Sequence, residues 1–308
     1  MRDLGTLRRL PLLAPLIAAC RPVHVLDSLV PKDARSRMAA ADLAYGPHPR
    51  QRFDLYVPEG EAAEGGPLPL LLFIYGGGWR SGRKADYRFA DRALAALGYV
   101  TAVADYRLVP EVRYPDFLID CGRALAAFRA AAADFGGDAG GGDSGGGDAG
   151  RIFLAGHSAG AYNAVMLALA PEIAEVAGYD RASIGGVGGI AGPYDFLPLR
   201  DDTMRAAFGA ACDLAATQPI NRTDPTAPPM ILMTGTADTV VAPGNADRLA
   251  AELRAAGTRA EVVRYEGVGH NGVLMSLARP FRFRADILGD LDRFLKSIGR
   301  GAPPDPGR

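Results

Sequence analysis

One ten-residue stretch, residues 151–160, constrains the fold of this chain more than any other. An apolar run ends in Gly-His-Ser-Ala-Gly, and a helical pattern follows at once. A strand, a sharp turn and a helix in this order hold a serine hydroxyl clear of a sheet and beside a base. Gly156 and Gly160 suit a turn where backbones pass closely. We therefore predict that Ser158 is a nucleophile, the alternative being a helix N-cap between ordinary loop glycines.

A second apolar run, residues 70–75, leads into three consecutive glycines. Each glycine costs about 1 kcal/mol of ordering free energy relative to alanine. Three glycines in a row are therefore expected mainly where unpartnered backbone N–H groups must face a ligand. We predict that the amides of Gly77, Gly78 and Ala159 donate to the oxygen that becomes negative in a tetrahedral intermediate, with Gly76 as the alternate donor. A flexible loop in a glycine-rich chain is the competing interpretation.

The remaining partners follow Ser158 in the order acid, then histidine. His270 is the only histidine after the serine, and it lies in a predicted glycine-flanked loop. Among several aspartates, Asp238 follows the strand-like run 230–235, so its carboxylate is predicted to orient the imidazole. Asp195, which follows the strand-like run 184–190, is the second candidate. A surface-loop histidine without a role is the alternative for His270.

These motifs resemble those of the α/β-hydrolase superfamily. The chain is similar to its carboxylesterase group, which includes hormone-sensitive-lipase-like, feruloyl-esterase-like and kynurenine-formamidase-like proteins, over residues 45–298. The resemblance rests on the sequences Tyr-Gly-Gly-Gly-Trp at 75–79, Gly-His-Ser-Ala-Gly at 156–160, Asp-Tyr-Arg-Leu at 105–108 and Tyr-Pro-Asp at 114–116, with Asp238 and His270. Tyr75 stands where the group usually has a histidine, which looks structural in those relatives.

The resemblance implies a serine esterase that transfers an acyl group to water. An aryl-formamidase is the first alternative, because the same three side chains attack an activated amide. A peptidase and a non-catalytic binding protein that keeps the fold are further alternatives. The ester is predicted to be small or aromatic, and the residues expected to bind it are Tyr75, Trp79, His157, Tyr194 and Phe196. The oligomeric state is not predicted.

The order of elements predicts an α/β fold, with a doubly wound, mostly parallel sheet and helices on both faces. Predicted strands are 52–57, 70–75, 99–104, 152–156, 184–190, 230–235 and 261–265. Predicted helices are 84–97, 116–134, 160–170, 244–256 and 282–297. The long connection 193–228 is predicted to form a lid, whose aromatic residues either contact substrate or pack within the lid. The Gly/Asp tract 136–150 is predicted to be a disordered loop, and its calcium-binding alternative lacks the spacing of a calcium loop.

Composition narrows the function further. The chain has 308 residues, a formal net charge of −1 and a pI near 6.4, which suits one large domain and argues against a nucleic-acid partner. Its three cysteines and four dispersed histidines lack metal-ligand spacing. We therefore predict no metal and no cofactor, with a small-molecule ester as substrate.

The N-terminus predicts export. Arg2, Arg8 and Arg9 precede the short apolar stretch 10–19, as in a signal peptide spanning residues 1–19. The sequence Ile-Ala-Ala-Cys ending at Cys20 resembles the bacterial lipobox, so Cys20 is predicted to be lipidated and to tether the protein to a membrane. The chain would then be a periplasmic protein or a membrane-anchored lipoprotein, with a cytoplasmic location as the alternative. Residues 20–44 are predicted to form a linker or arm, and 299–308 a disordered tail.

Overall fold

The computed structural model describes residues 22–63, 66–138 and 152–298. The predicted signal peptide, Cys20, most of the 136–150 tract and the 299–308 tail lie outside the described residues. No helix within the described ranges is both long enough and apolar enough to cross a bilayer.

An eight-stranded sheet forms the centre of the protein. Its strands are β1 (Ser36–Ala44), β2 (Arg52–Pro58), β3 (Leu70–Ile74), β4 (Val100–Ala104), β5 (Ile152–His157), β6 (Ile184–Ile190), β7 (Met230–Gly235) and β8 (Ala260–Tyr265). Their order is β1-β2-β4-β3-β5-β6-β7-β8. Strands β3 to β8 pair in parallel, whereas β2 pairs antiparallel with both β1 and β4 at one edge of the sheet. The predicted fold class is confirmed.

The helices are α1 (Pro22–Leu29), α2 (Arg88–Ala95), α3 (Asp116–Ala132), α4 (Ala159–Leu169), α5 (Pro171–Ala177), α6 (Asp202–Phe208), α7 (Gly244–Ala255), α8 (His270–Met275) and α9 (Ile287–Ile298). The central strands are uniformly buried: every residue of β3, β4, β5 and β7 is buried. Parallel strands covered on both faces need such continuous apolar runs, which is why the sequence predicted them well.

Strand β6 shows how closely the helices approach the sheet. A Cβ added to Gly186 or Gly188 would lie 2.6 Å from Ile298 or 2.5 Å from Leu291, both in α9. On the alternate face, a Cβ on Gly189 would lie 2.1 Å from the hydroxyl of Tyr194. Side chains of a strand alternate between faces, so the glycines of β6 allow close packing on both sides of the sheet.

The segment predicted as a linker or arm differs from that expectation. It contains α1 and β1, and β1 extends the sheet beyond the strand at 52–57 that was expected to come first. The carboxylate of Asp27 fixes α1 to the domain by accepting the backbone N–H of Phe89 at 2.9 Å. The folded domain therefore begins before residue 45.

The predicted lid, residues 193–228, contains α6 and two 3-10 turns, Ala215–Thr217 and Pro219–Asn221. Its Phe208 is fully buried. The backbone N–H of Tyr114 donates to the carbonyl of Ala207 at 2.9 Å, which fixes the end of α6 to the body of the domain. The segment is therefore packed against the domain rather than extended from it.

Candidate active site

The three predicted polar side chains lie beyond the carboxyl ends of parallel strands, where sites in such sheets form. Ser158 follows β5, Asp238 follows β7 and His270 follows β8. Ser158 has φ 55° and ψ −122°, an uncommon conformation for a residue with a side chain. Its N–H donates to the carbonyl of Ile190 at 2.8 Å, which holds the strained turn against the next strand.

Gly156 and Gly160 are required by the crossing of strand and helix at this turn. A Cβ on Gly160 would lie 2.0 Å from the carbonyl oxygen of Ile74, and one on Gly156 would lie 2.3 Å from the carbonyl oxygen of Gly160. Each distance joins the added carbon to backbone, which cannot move aside as a side chain can. Both glycines therefore serve the close approach that their spacing predicted.

A hydroxyl, an imidazole and a carboxylate form one continuous chain of hydrogen bonds. His270 Nε2 lies 3.0 Å from Ser158 Oγ, and His270 Nδ1 lies 2.7 Å from Asp238 Oδ2. These residues are more than 110 positions apart at the extremes, so only the fold unites them. The sequence predicted a loop at His270, whereas the structure makes it the first residue of α8.

The carboxylate of Asp238 is held in its charged form. Its Oδ1 accepts the backbone N–H groups of Val240 and Val241 at 2.8 and 2.9 Å. Burial raises the pKa of Asp238, but the hydrogen bonds from His270 and from these amides outweigh it, so the pKa lies below its usual value. A charged carboxylate at this position favours the proton on His270 Nδ1 and leaves Nε2 free to accept from Ser158.

Two loops position the acid and the base against each other. A Cβ on Gly235 would lie 2.0 Å from the carbonyl oxygen of Val268, so the turns after β7 and β8 touch. The N–H of Ala237 donates to that same carbonyl at 3.1 Å. The other candidate acid, Asp195, instead pairs with Arg248 at 2.6 Å and accepts nothing from His270.

The glycine loop runs alongside the serine. A Cβ on Gly76 would lie 3.0 Å from the Cβ of Ser158. The carbonyl of Gly77 accepts the N–H groups of Arg80 and Ser81 at 3.2 and 3.1 Å. Because a trans peptide places its carbonyl and N–H on opposite sides, the N–H of Gly78 points away from that turn. Positive φ values of 131° at Gly77 and 58° at Gly78 explain why glycine is needed there.

Gly76, the alternate donor, is engaged elsewhere. Its N–H interacts with the hydroxyl of Tyr87, where it opposes the rise that burial imposes on the pKa of that group. The amide of Ala159 is different, since it lies in the first turn of α4, where backbone N–H groups lack partners inside the helix. The N–H of Gly76 is thus engaged elsewhere, and Gly77, Gly78 and Ala159 stay the predicted donors.

Tyr75 is a buried residue that supports the glycine loop. Its side chain is fully buried and stacks on Tyr106 at 4.8 Å between ring centroids. Its hydroxyl donates to Asp105 Oδ1 at 3.0 Å and accepts from Arg50 at 2.7 Å. The same guanidinium nitrogen donates to the carbonyl of Gly82 at 2.8 Å, at the far end of the loop. Tyr75 was predicted to bind substrate, and the structure instead places it in the support of the loop.

We expect Tyr75→Phe to lower kcat about tenfold with little change in KM, because the loop loses a fixed point while the stacked ring remains. Stability should fall by about 1–2 kcal/mol, the usual cost of unpairing buried polar groups. Ester hydrolysis and urea unfolding measure the two effects. Tyr179→Phe is the matched control, since that hydroxyl donates to the carbonyl of Leu167 at 2.7 Å. An equal kcat loss in both variants would contradict the positioning role of Tyr75.

His157 places a second imidazole next to that of His270. It is 4% exposed, and its ring centroid lies 4.9 Å from that of His270. Its Nε2 lies 3.3 Å from the carbonyl oxygen of His270, so Nε2 carries the proton. Burial, together with the neighbouring imidazole, lowers the pKa of His157 to about 3. His157 therefore stays neutral and holds the backbone of His270, whereas the sequence predicted substrate contact.

The lowered pKa of His157 predicts an acid-sensitive fold. The unfolded chain takes up this proton near pH 6.5 and the folded chain only near pH 3, so stability falls as the pH drops through that interval. Between pH 7 and pH 5 this residue should cost about 2 kcal/mol of unfolding free energy. His157→Gln keeps an N–H donor but does not titrate. The free energy of unfolding of this variant should therefore fall by about 2 kcal/mol less between pH 7 and pH 5 than that of the wild type. Urea unfolding at the two pH values tests this, and identical losses would refute it.

The other predicted substrate-binding residues differ in exposure. Trp79 is 3% exposed, and its indole N–H donates to Asn163 Oδ1 at 3.0 Å. Tyr194 is 1% exposed and lies over β6. Only Phe196 is partly exposed, and it packs 6.3 Å from Trp79 between ring centroids. Trp79 and Tyr194 are thus packed in the interior next to the site and are not open to a ligand. The sequence did not reveal this, because an apolar run predicts that a side chain is buried and not whether a ligand can reach it.

Sequence reasoning missed Arg50, Asp105 and Thr203 around the glycine loop. Arg50 and Asp105 are joined through Tyr75, as described above. The Arg80 guanidinium donates to Thr203 Oγ1 at 3.2 Å, which links the loop to α6. Of these three residues, only Asp105 had a signal in the sequence, the short motif Asp-Tyr-Arg at 105–107. Among the described residues, no group of three or more His, Cys, Asp or Glu side chains could hold a metal ion.

A strained serine between a parallel strand and a helix, with an acid and a histidine from later strands, defines the α/β-hydrolase class of proteins. Within this class, the chain belongs to the BD-FAE family, whose model matches residues 53–253. The predicted resemblance to the carboxylesterase group of α/β-hydrolases is confirmed.

Similar proteins carry esterase names. The chain is 29% identical to a probable isoprenylcysteine alpha-carbonyl methylesterase, ICMEL1, of Arabidopsis thaliana, over 76% of this chain and 51% of the relative. It is 31% identical to esterase LipC of Mycobacterium tuberculosis, over 76% of this chain and 60% of the relative. The chain thus spans about half to three fifths of these relatives. The solved structure of esterase B from Lactobacillus Rhamnosis matches with a TM-score of 0.75 at 18% identity, covering 93% of this chain and 92% of the other.

Proposed function

We propose that this protein is a serine carboxylic ester hydrolase, in which Ser158, His270 and Asp238 form the catalytic triad. The observation that carries the proposal is the unbroken chain of hydrogen bonds from Ser158 Oγ through His270 to Asp238, at 3.0 and 2.7 Å. The esterase names of its relatives support the same class of reaction.

The proposed reaction begins when Ser158 Oγ attacks the ester carbonyl and His270 Nε2 takes the hydroxyl proton. The carbonyl oxygen becomes negative, and the N–H groups of Gly77, Gly78 and Ala159 donate to it. His270 then passes its proton to the leaving alcohol, and an acyl-serine remains. Water, deprotonated by the same imidazole, attacks this acyl group and releases the acid with a regenerated serine.

Asp238 contributes through charge and orientation. Its lowered pKa keeps it ionised throughout the reaction, so the imidazolium that forms on His270 has a negative partner. Loss of one oxyanion donor in comparable enzymes costs about 3 to 4 kcal/mol, so the glycine loop is expected to contribute strongly beside the triad.

A small or aromatic ester is the proposed substrate. Aromatic side chains surround Trp79 next to the glycine loop: Phe117, Tyr162, Phe196 and Phe208 all lie within 6.3 Å of it, ring centroid to ring centroid. We infer that these rings leave room for a short acyl chain rather than a long one. An aryl-formamide is the second candidate, since its carbonyl is open to the same attack.

Hydrolysis of p-nitrophenyl esters from acetate to decanoate, beside an N-formyl aryl amine, tests this proposal. We expect acetate and butyrate esters to be cleaved fastest. Faster turnover of the formamide would instead support the second candidate. A fluorophosphonate probe that fails to label Ser158, together with no turnover of any substrate, would favour a non-catalytic binding protein.

We also propose export with lipidation at Cys20, on the evidence of the N-terminal sequence alone. Mass spectrometry of the mature N-terminus tests this. A mature chain that starts at an acylated Cys20 would support the lipoprotein, and an intact Met1 would support the cytoplasmic alternative.

A further inference from the structure

Two apolar side chains stand out on the surface. Phe283 is 83% exposed and Leu29 is 78% exposed, the highest values among the large apolar side chains that the structure describes. Phe283 lies in the 3-10 helix Arg279–Arg284, and Leu29 is the last residue of α1. Single exposed apolar side chains are common on protein surfaces, whereas apolar side chains grouped on one surface mark an interaction site, so the surroundings of these two residues decide their meaning.

An ion pair ties the two segments together. Arg282 donates to both carboxylate oxygens of Asp33, at 3.0 and 2.6 Å. Asp33 is four residues beyond Leu29, so their backbones are at most about 14 Å apart. Phe283 adjoins Arg282 directly. Leu29 and Phe283 therefore lie on the two segments that this ion pair joins, and we call the surface formed by Leu29, Arg279, Phe283 and Arg284 the basic apolar face.

The basic apolar face carries unbalanced positive charge. Arg279 and Arg284 are exposed and form no ion pair with a residue that the structure describes. The guanidinium of Arg284 lies 5.8 Å from the ring centroid of Phe281 and 5.9 Å from that of Phe283, a cation–π arrangement. The nearby carboxylates are already paired, Asp33 with Arg282 at 2.6 Å and Asp286 with Arg293 at 3.0 Å. The face is therefore locally cationic on a chain whose net charge is −1.

We propose that the basic apolar face docks on the surface of an anionic lipid bilayer. Leu29 and Phe283 would enter the boundary between headgroups and acyl chains, while Arg279 and Arg284 contact lipid phosphates. The path of the chain agrees with this, because α1 begins two residues after Cys20, the predicted lipidation site. A second copy of this chain fits less well, since a two-fold contact would bring the arginines against each other.

The test uses the full chain with Cys20→Ser, so that no acyl anchor contributes. Sedimentation with vesicles of phosphatidylcholine alone, or with 30% phosphatidylglycerol, measures binding. We expect preference for the anionic vesicles. Leu29→Ser with Phe283→Ser should reduce the partition coefficient at least tenfold, because the inserted apolar area is lost. Arg279→Gln with Arg284→Gln should reduce it by about fivefold per arginine on anionic vesicles, and less on neutral ones.

Matched controls change the same residue types elsewhere. Val176→Ser with Leu214→Ser removes two other exposed apolar side chains, which are 57% and 37% exposed. Arg113→Gln with Arg123→Gln removes two other exposed charges. Both controls should bind within about twofold of the parent, and thermal unfolding verifies the fold of every variant. Equal binding by all variants would overturn the proposal. So would a dimer that Leu29→Ser with Phe283→Ser dissociates while vesicle binding stays unchanged.

Discussion

Ser158→Ala is expected to lower kcat for a p-nitrophenyl ester by about a millionfold, the loss seen when the nucleophile of a comparable serine hydrolase is removed. The hydroxyl of Ser158 lies 3.0 Å from His270 Nε2, and no other hydroxyl bonds to that nitrogen among the described residues. Alanine keeps the backbone of the turn, so the fold should survive. Initial rates at saturating ester measure the effect.

The matched control is Ser183→Ala, which removes a hydroxyl that donates to the carbonyl of Asp180 at 2.6 Å, before β6. This variant should retain wild-type kcat. Labelling by a fluorophosphonate should disappear in Ser158→Ala and persist in Ser183→Ala. More than about one per cent residual activity in a Ser158→Ala sample free of contaminating hydrolase would contradict the nucleophile assignment.

Asp238→Asn should lower kcat about ten-thousandfold, because an amide cannot stabilise the imidazolium and can hold His270 in the wrong tautomer. The fold is expected to persist, since the side-chain oxygen of asparagine can still accept from Val240 and Val241. The loss should appear in kcat rather than in KM, as the carboxylate lies behind the imidazole. Steady-state kinetics with a p-nitrophenyl ester separate the two parameters.

Asp195→Asn provides the internal comparison, because Asp195 is the other candidate acid from the sequence. Its carboxylate pairs with Arg248 at a partly exposed position, so its loss should change kcat less than about twofold. If Asp195→Asn were the more damaging variant, the acid would have been assigned to the wrong strand.

The sequence predicted best those features that close packing imposes. Parallel central strands must be apolar throughout, so β6 and β7 match their predicted bounds of 184–190 and 230–235. The serine turn was predictable because Gly156 and Gly160 are both dictated by backbone contact. The acid remained ambiguous, since several aspartates follow strand-like runs and only the fold decides which one reaches His270.

The edge of the sheet escaped prediction for a different reason. Strand β1 has the sequence Ser-Arg-Met-Ala-Ala-Ala-Asp-Leu-Ala and two register irregularities against β2, so its apolar residues do not alternate. The network below the glycine loop was equally hidden, because Arg50 and Asp105 are 55 residues apart in the sequence and meet only in the fold, as an ion pair at 3.6 Å and through the Tyr75 hydroxyl. Likewise, an aromatic residue in a strand does not reveal whether it faces a ligand or the core.

The tight crossing at Gly160 limits how this protein can be redesigned. With 2.0 Å between a hypothetical Cβ and the carbonyl oxygen of Ile74, libraries that vary positions 156 or 160 would consist mostly of unfolded clones. Phe196 and Thr203 lie on the long connection after β6, are partly exposed, and contact the side chains of Trp79 and Arg80. Laboratory evolution toward bulkier esters should therefore keep the elbow fixed and concentrate its diversity in that connection.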